Sequence, residues 1–323
     1  MGDMTMAFHF DSLVWDWIIA VYLFLAGMSA GAVMIAIYLK RKVIVGDPAD
    51  NGILKATAWL APFGIIAGLV ILIFHLTKPL EFWKIMIYFN PTSVMSMGVI
   101  LFQVYMLVLF VWIGVIFRNT IIGFLECKIP DKWLHFIDGL LLKIGRVNHL
   151  TELFLGLLAL MLAAYTGFLL SALKTYPMLN NPVLPILFLF SSLSSGAAAC
   201  LLFGVLVFKE SSTSPSVKWV HSFERPVVMF ELFVLVTFFT GLIFSGGQNE
   251  VAAWNAIGGG FWSNWFWYGV ILIGMLLPLS LNAIAPKSMK YSGGFVFLVT
   301  TLSLVGVLML RTFILYAGQM TVV

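Results

Sequence analysis

The sequence predicts an all-α integral membrane protein of eight transmembrane helices. Three observations carry that prediction. The chain of 323 residues is 61% hydrophobic and only 10% charged, where a soluble domain carries about 25% charge. Its apolar residues gather into eight blocks of about 20 residues, long enough to cross a hydrocarbon core about 30 Å thick. Most of its 18 basic residues sit in alternate gaps between the blocks. These are Lys40, Arg41, Lys42 and Lys55; Arg118, Lys128, Lys132, Lys143 and Arg146; Lys209, Lys218 and Arg225; Lys287 and Lys290. The other gaps hold Lys78, Lys84 and Lys174, and Arg311 alone lies inside a block. Basic loops stay in the cytoplasm, so both termini are predicted to be periplasmic. The net charge of +4 follows from loop orientation and gives no reason to expect a nucleic-acid partner.

The first block, 14–39, follows a tail with Asp3 and Asp11 and no Lys or Arg. A cleavable signal peptide begins basic, so this block reads as a retained helix. The second, 56–76, ends at His75. The third, 94–117, runs into a basic segment, 118–147, whose stretch WLHFIDGLLLKIG reads as an interfacial amphipathic helix. The fourth, 148–172, carries Glu152 near its start and Tyr165-Thr166-Gly167 near its end. The fifth, 184–208, holds a run of small residues from Ser191 to Ala199, as the first holds Gly27 and Gly31; such stripes let helices approach closely in lipid. The sixth is placed at 226–245, which sets Glu231 about one turn inside the cytoplasmic end. The seventh, 265–284, follows an aromatic external loop at 246–264. The eighth, 295–316, carries Arg311.

A weak internal repeat links the halves. Tyr22–Met34 reads YLFLAGMSAGAVM and Leu187–Ala199 reads LFLFSSLSSGAAA, aligning Ser29, Gly31 and Ala32 with Ser194, Gly196 and Ala197. Tyr316-Ala317-Gly318 stands in the eighth block as Tyr165-Thr166-Gly167 stands in the fourth. The simplest reading is two four-helix bundles in parallel repeat, 1–180 and 181–323, the first of them holding Asp16, His75 and Tyr165.

Ionisable groups in or beside the spans are the default functional candidates. Asp16, His75, Tyr165 and Arg311 fall in the outer half; Glu152 and Glu231 fall near the cytoplasmic ends. A carboxylate, an imidazole and a phenol near one interface suit a quinone's two oxygens and the protons released when a quinol is oxidised. Each also has a bland reading. Asp16 caps a helix, His75 is an interfacial histidine, and Tyr165 is a satisfied core tyrosine. Glu152 and Glu231 favour a helix N-terminus, and Arg311 a C-terminus. With Arg311, the two glutamates also leave room for a proton path.

The absences narrow the chemistry. Cys127 and Cys200 form no CxxC, and two thiols cannot ligate an iron–sulfur cluster. His9, His75, His135, His149 and His221 offer no pair to sandwich a haem at mid-membrane. There is no P-loop and no HExxH. The expectation is a chain with no haem, cluster or metal of its own.

Five stretches carry a resemblance that spans nearly the whole chain. They are FHFDSLVWDWIIAVYLFLAGMSAG from Phe8, IFHLTKPLEFWKIMIYFNPTSVMSMG from Ile73, AYTGFLLSALKTYPMLNNPVLPILFLFSSLSSGAA from Ala164, GGGFWSNWFWYG from Gly258, and VLMLRTFILYAGQMT from Val307. On these the chain resembles the NrfD/polysulfide-reductase membrane-subunit family, and NNPxLPxLFLFS with LYAGQ favours its nitrite-reduction branch. The resemblance implies a multi-pass bacterial inner-membrane subunit that oxidises a quinol, menaquinol before ubiquinol, near the outer face. It implies electron transfer to a periplasmic ferredoxin-like iron–sulfur subunit, and through multihaem c-type cytochromes to a nitrite reductase that forms ammonia. The family's tyrosine contact to the quinone maps onto Tyr165, and its early polar residue of the first helix onto Asp16. Two readings compete: a membrane anchor without a quinone site, and a proton or solute transporter that uses Glu152 and Glu231.

Overall fold

A computed structural model describes residues 7–76, 78–126, 130–290 and 292–322; Asp3, Cys127 and Lys128 lie outside these. Among the described residues, eight helices are long and apolar enough to cross a membrane. They run Trp17–Lys42, Gly52–His75, Val94–Ile116, Asn148–Ser171, Leu184–Leu206, Pro215–Ser245, Phe261–Ile284 and Gly293–Gln319. The described residues contain no β-strand. Local chemistry sets the span starts. Asp16, Asn51, Ser93, Ser214 and Ser292 each cap the helix that follows by accepting a backbone N–H in the first turn. At a rise of ~1.5 Å per residue, even the shortest spans are ~35 Å long and clear the hydrocarbon core.

Two spans depart from their predicted form. The sixth starts at Pro215 rather than near 226, because Ser214 caps it and Pro215 takes the first position, where a missing N–H costs nothing. Pro226 lies inside the helix. It forfeits one backbone bond, and the surrounding spans carry the helix through. Glu231 therefore lies 16 residues after Pro215 and 14 before Ser245 (231 − 215 and 245 − 231), about 24 Å and about 21 Å along the axis. That is mid-helix, not one turn from an end. In the seventh span, Trp265–Leu276 winds as a π-helix. Pro278 follows, and without an N–H it cannot close an α-type bond onto Gly274.

The first and fifth spans form the centre. They pack on each other, and both touch the second, fourth and eighth. The third lies outside on the fourth, and the seventh outside on the eighth. Small residues make the central contact. A methyl group at Gly31 would overlap the Ser192 carbonyl, and one at Gly196 would overlap the Ala32 nitrogen. The backbones thus touch directly, which maximises dispersion where lipid supplies no hydrophobic drive.

The face bearing the basic loops is tied by charge. Glu152, just past the first turn of the fourth span, accepts from Lys40 and from Arg41 Nε (2.7 Å), with Trp112 Nε1 at 3.4 Å. Glu210 accepts from the Gly52 N–H at 2.6 Å. The amphipathic helix forms at Asp131–Arg146, with Leu134 buried and Trp133, Phe136 and Leu140 exposed. Arg118 Nε holds it through Asp138 Oδ1 at 2.6 Å.

The opposite face, which carries both termini, is tied by one glutamine. Gln319 is fully buried. Its Oε1 accepts from Val14 N and Trp15 N, both at 2.9 Å, and its Nε2 donates to Trp15 O and Leu315 O at 2.9 Å. Ser12 Oγ donates to the Gln319 carbonyl, and Trp17 N to Tyr316 Oη. The segment before the first span is thereby sewn to the end of the eighth.

Candidate functional site

Tyr165 lies in the last two turns of the fourth span, where Leu162, Ala163 and Leu169 bury their side chains beside it. Its hydroxyl donates to the Val94 carbonyl at 3.2 Å, at the start of the third span. That carbonyl lies in the first turn of its helix and so is committed to the helix ladder as well; the tyrosine makes a second, longer bond to it. The ring meets Phe102 edge-on, with centroids 6.1 Å apart, and Phe102 in turn packs on Tyr22 of the first span. Gly98 makes this position possible, since a methyl group there would overlap the phenol. The result is two phenols, Tyr165 and Tyr22, in an otherwise apolar wall built by the first, third and fourth spans.

An open pocket of about 300 Å³ adjoins this wall on the terminal face. Lys84, Tyr88, Asn90, Ser93, Met95 and Ser96 line it, on either side of Val94. Ser96 Oγ accepts from the Asn90 N–H at 2.9 Å, and Gln103 Nε2 donates to the Met86 carbonyl at 3.2 Å. These bonds fold the short helix Phe82–Ile87 back against the third span. Lysine, asparagine and serine side chains line the pocket beside Ile85, Tyr88 and Met95, a mix of polar and apolar groups that a small amphipathic ligand fits.

The other predicted residues separate into two places. Asp16 caps the first span through Oδ1, which accepts from Ile18 N at 3.1 Å, and it lies beside Tyr316. His75 is exposed at the end of the second span. Among the described residues, no hydrogen bond joins Asp16, His75 and Tyr165 to one another. Glu152 belongs to the basic face. Glu231 and Arg311 lie together in the interior, 1% and 0% exposed. Arg311 donates to Thr166 Oγ1 at 3.1 Å, and to the Phe188 carbonyl and Ser192 Oγ, each at 3.0 Å. Its guanidinium also sits 3.8 Å from the centre of the Phe188 ring, a cation–π contact. Arg311 therefore cross-links the fourth, fifth and eighth spans.

Sequence reasoning misses Tyr22, Gly98 and Gln319 as parts of this architecture. Gly98 stands next to polar loop residues in the MSMG stretch, but nothing in the sequence pairs it with Tyr165. It also misses Glu224, which the shorter sixth block leaves in a loop. A cap signal at Ser214-Pro215 is there to be read.

A second groove, about 440 Å³ in volume, is wholly apolar and runs along the second span past Phe24, Trp59, Phe63, Phe203 and Leu304. With no polar group in it, it fits acyl chains rather than a reacting headgroup. Among the described residues, no three His, Cys, Asp or Glu side chains gather as a metal ion would require.

Comparison with known proteins places these features in a context. Residues 5–323 match the family model described as "Polysulphide reductase, NrfD". The chain is 47% identical to Protein NrfD of Escherichia coli over 98% of its own length and 99% of the relative's. It is 47% identical to a Protein NrfD homolog of Haemophilus influenzae, over 99% of each protein. It is also 41% identical to the C chain of the polysulfide reductase of Wolinella succinogenes, over 96% of each.

Proposed function

The chain belongs to the polysulphide reductase/NrfD family, and from that premise we propose that it oxidises a quinol at its terminal face for nitrite reduction to ammonia. It is a multi-pass protein of the bacterial inner membrane and a membrane subunit of redox complexes. In this reading the terminal face is periplasmic. The quinol is menaquinol in the first instance. Its electrons pass to a ferredoxin-like iron–sulfur subunit, and onward through multihaem c-type cytochromes to nitrite reductase.

The observation that supports the reading is the Tyr165 hydroxyl, set among aromatic side chains and bonded to the carbonyl of Val94, whose chain neighbours line an open pocket. A quinol is an apolar ring with two hydroxyls. Its oxidation breaks two O–H bonds and releases two protons and two electrons. Tyr165 can exchange its long bond to Val94 for one to a quinol oxygen. Asp16 and His75 lie at the same face; His75 is open to water, and Asp16 uses only Oδ1 as a cap. Either can take a proton outward. Electrons leave by the partner, since no group in this protein is proposed to store them.

The test is Tyr165→Phe in the assembled complex. Loss of one hydrogen bond to a neutral ligand costs about 0.5–1.5 kcal/mol, so quinol binding should weaken several-fold and nitrite-dependent quinol oxidation should slow, with folding unchanged. Full activity in this variant would refute the site. Quinone quenching of tryptophan fluorescence separates a quinol site from a plain anchor, which would give no saturable quenching. Solute uptake by vesicles containing this protein alone would instead favour a transporter.

A further inference from the structure

The sixth span carries two carboxylates, Glu224 and Glu231, that quinol oxidation at Tyr165 does not use. They stand seven residues apart and so on one face of the helix, about 10 Å apart along its axis. Both are buried, Glu224 at 2% exposure. Each has an oxygen with no hydrogen-bond partner, Oε2 of Glu224 and Oε1 of Glu231. The other oxygen of Glu224 accepts from Ser303 Oγ of the eighth span at 2.9 Å. An ionised carboxylate with a bare oxygen is costly inside a membrane protein, and such groups persist where ions or protons move. A bare carboxyl oxygen is also where a proton sits, because the neutral acid carries its own O–H.

The groups facing the two acids lead from one side of the protein to its centre. Toward the basic face, Glu224 is one turn from His221 and next to Arg225. With Ser222, Asn282 and Lys290 these line a pocket of about 210 Å³. Toward the centre, Glu231 lies in the field of Arg311 without an ion-pair contact. The guanidinium bonds only to neutral groups: Thr166, Ser192 and the Phe188 carbonyl, with the Phe188 ring beneath it. Its Nε has no partner. A fully buried arginine thus has one carboxyl group in its field, and the charge of that group depends on one proton.

We propose that Glu224 and Glu231 form a proton relay between the basic-face pocket and the Arg311 centre, separate from the Tyr165 site. A proton from water in the pocket joins Glu224, and passes on as Glu224 loses its O–H and Glu231 gains one. No electron moves. The gap between the acids calls for about three waters in file at ~2.8 Å spacing. Glu152 is left out, because Lys40 and Arg41 hold its two oxygens. Arg311 bonds Thr166, the residue after Tyr165 in the fourth span, so the relay ends one residue along the chain from the candidate quinol site. That last link rests on the quinol reading; the relay itself does not.

Infrared spectroscopy on the full chain in lipid, moved from H2O to D2O, tests the relay without quinol or partner. The expected result is a protonated-carboxyl stretch that shifts on deuteration and is absent in Glu231→Gln. In Glu224→Gln the same band should remain but deuterate several-fold more slowly. Glu231→Asp, which keeps the acid, should retain a displaced band and so guards against misfolding. Loss of no carboxyl band in Glu231→Gln, or an unchanged deuteration rate in Glu224→Gln, overturns the relay. Failure of the quinol reading would appear separately, as full quinol oxidation in Tyr165→Phe with these bands intact.

Discussion

A single hydrogen atom at Gly98 decides where Tyr165 stands. A methyl group there would overlap the phenol, and overpacking of this kind costs about 1–3 kcal/mol. Gly98→Ala should therefore lower the thermal unfolding midpoint and displace the tyrosine, weakening quinol binding as well. Gly241→Ala is the control, since its added methyl meets open space; it should alter neither. Equal behaviour of the two variants would show that Tyr165 is not held as described. At this scale the sequence is only partly legible. Tyr165 can be found because a phenol inside an apolar run is conspicuous. Gly98 cannot be paired with it, because a contact between the third and fourth spans leaves no mark on local composition.

Among elements, the helix Asp131–Arg146 depends on charge in a way the spans do not. The hydrogen bond from Arg118, then its charge, holds the Asp138 carboxyl below the ordinary carboxylate range. A carboxyl depressed in the folded state stabilises above its unfolded pKa, and that contribution is lost as pH falls through the folded value. The pair is partly solvated, so its contribution is small and screened by salt. A spin label at Leu140 should therefore gain mobility in acid, below the usual carboxylate range. In Asp138→Asn it should be mobile to a similar degree at neutral pH and insensitive to acid. Equal immobility at all pH values would mean that apolar contacts alone hold the helix. The spans show what apolar patterning can and cannot reveal. Eight blocks are countable because lipid demands length and hydrophobicity. The sixth reads too short from sequence because Pro226 looks like a boundary, although packing carries the helix through it. The π-winding of Trp265–Leu276 is invisible, because a run apolar on every side has no periodicity to read.

For the whole molecule, the alternation of basic loops makes a sharp topological statement. Reporter fusions after residue 45 and after residue 180 should fall on opposite sides of the membrane, the first in the cytoplasm. Crosslinkers at Lys84 and Asn249, both on the terminal face, should then capture the iron–sulfur partner. Capture from Lys132 alone would place docking on the other side. The long-range polar ties that order the interior are the least legible part. Arg311 stands out as a charge in an apolar block, but its partners Thr166, Phe188 and Ser192 lie over a hundred residues away. Its depth follows from counting residues; its role as a cross-link of three spans does not.

The Gln319 clamp also bears on how the protein is made. Translation delivers the first span long before the eighth, yet most long-range bonds of residues 12–15 end on Gln319, with one more from Tyr176 Oη to the Ser12 carbonyl. Until the last helix is inserted, the segment before the first span has only the Tyr176 bond to close on. Nascent chains halted before residue 310 should accordingly be cut by protease between residues 10 and 17, while finished ones resist. Equal resistance would mean that the opening segment settles unaided. If the difference is found, biosynthesis ends with a closing stitch at its own starting point, and a surveillance protease has a simple mark by which to tell an unfinished subunit from a finished one.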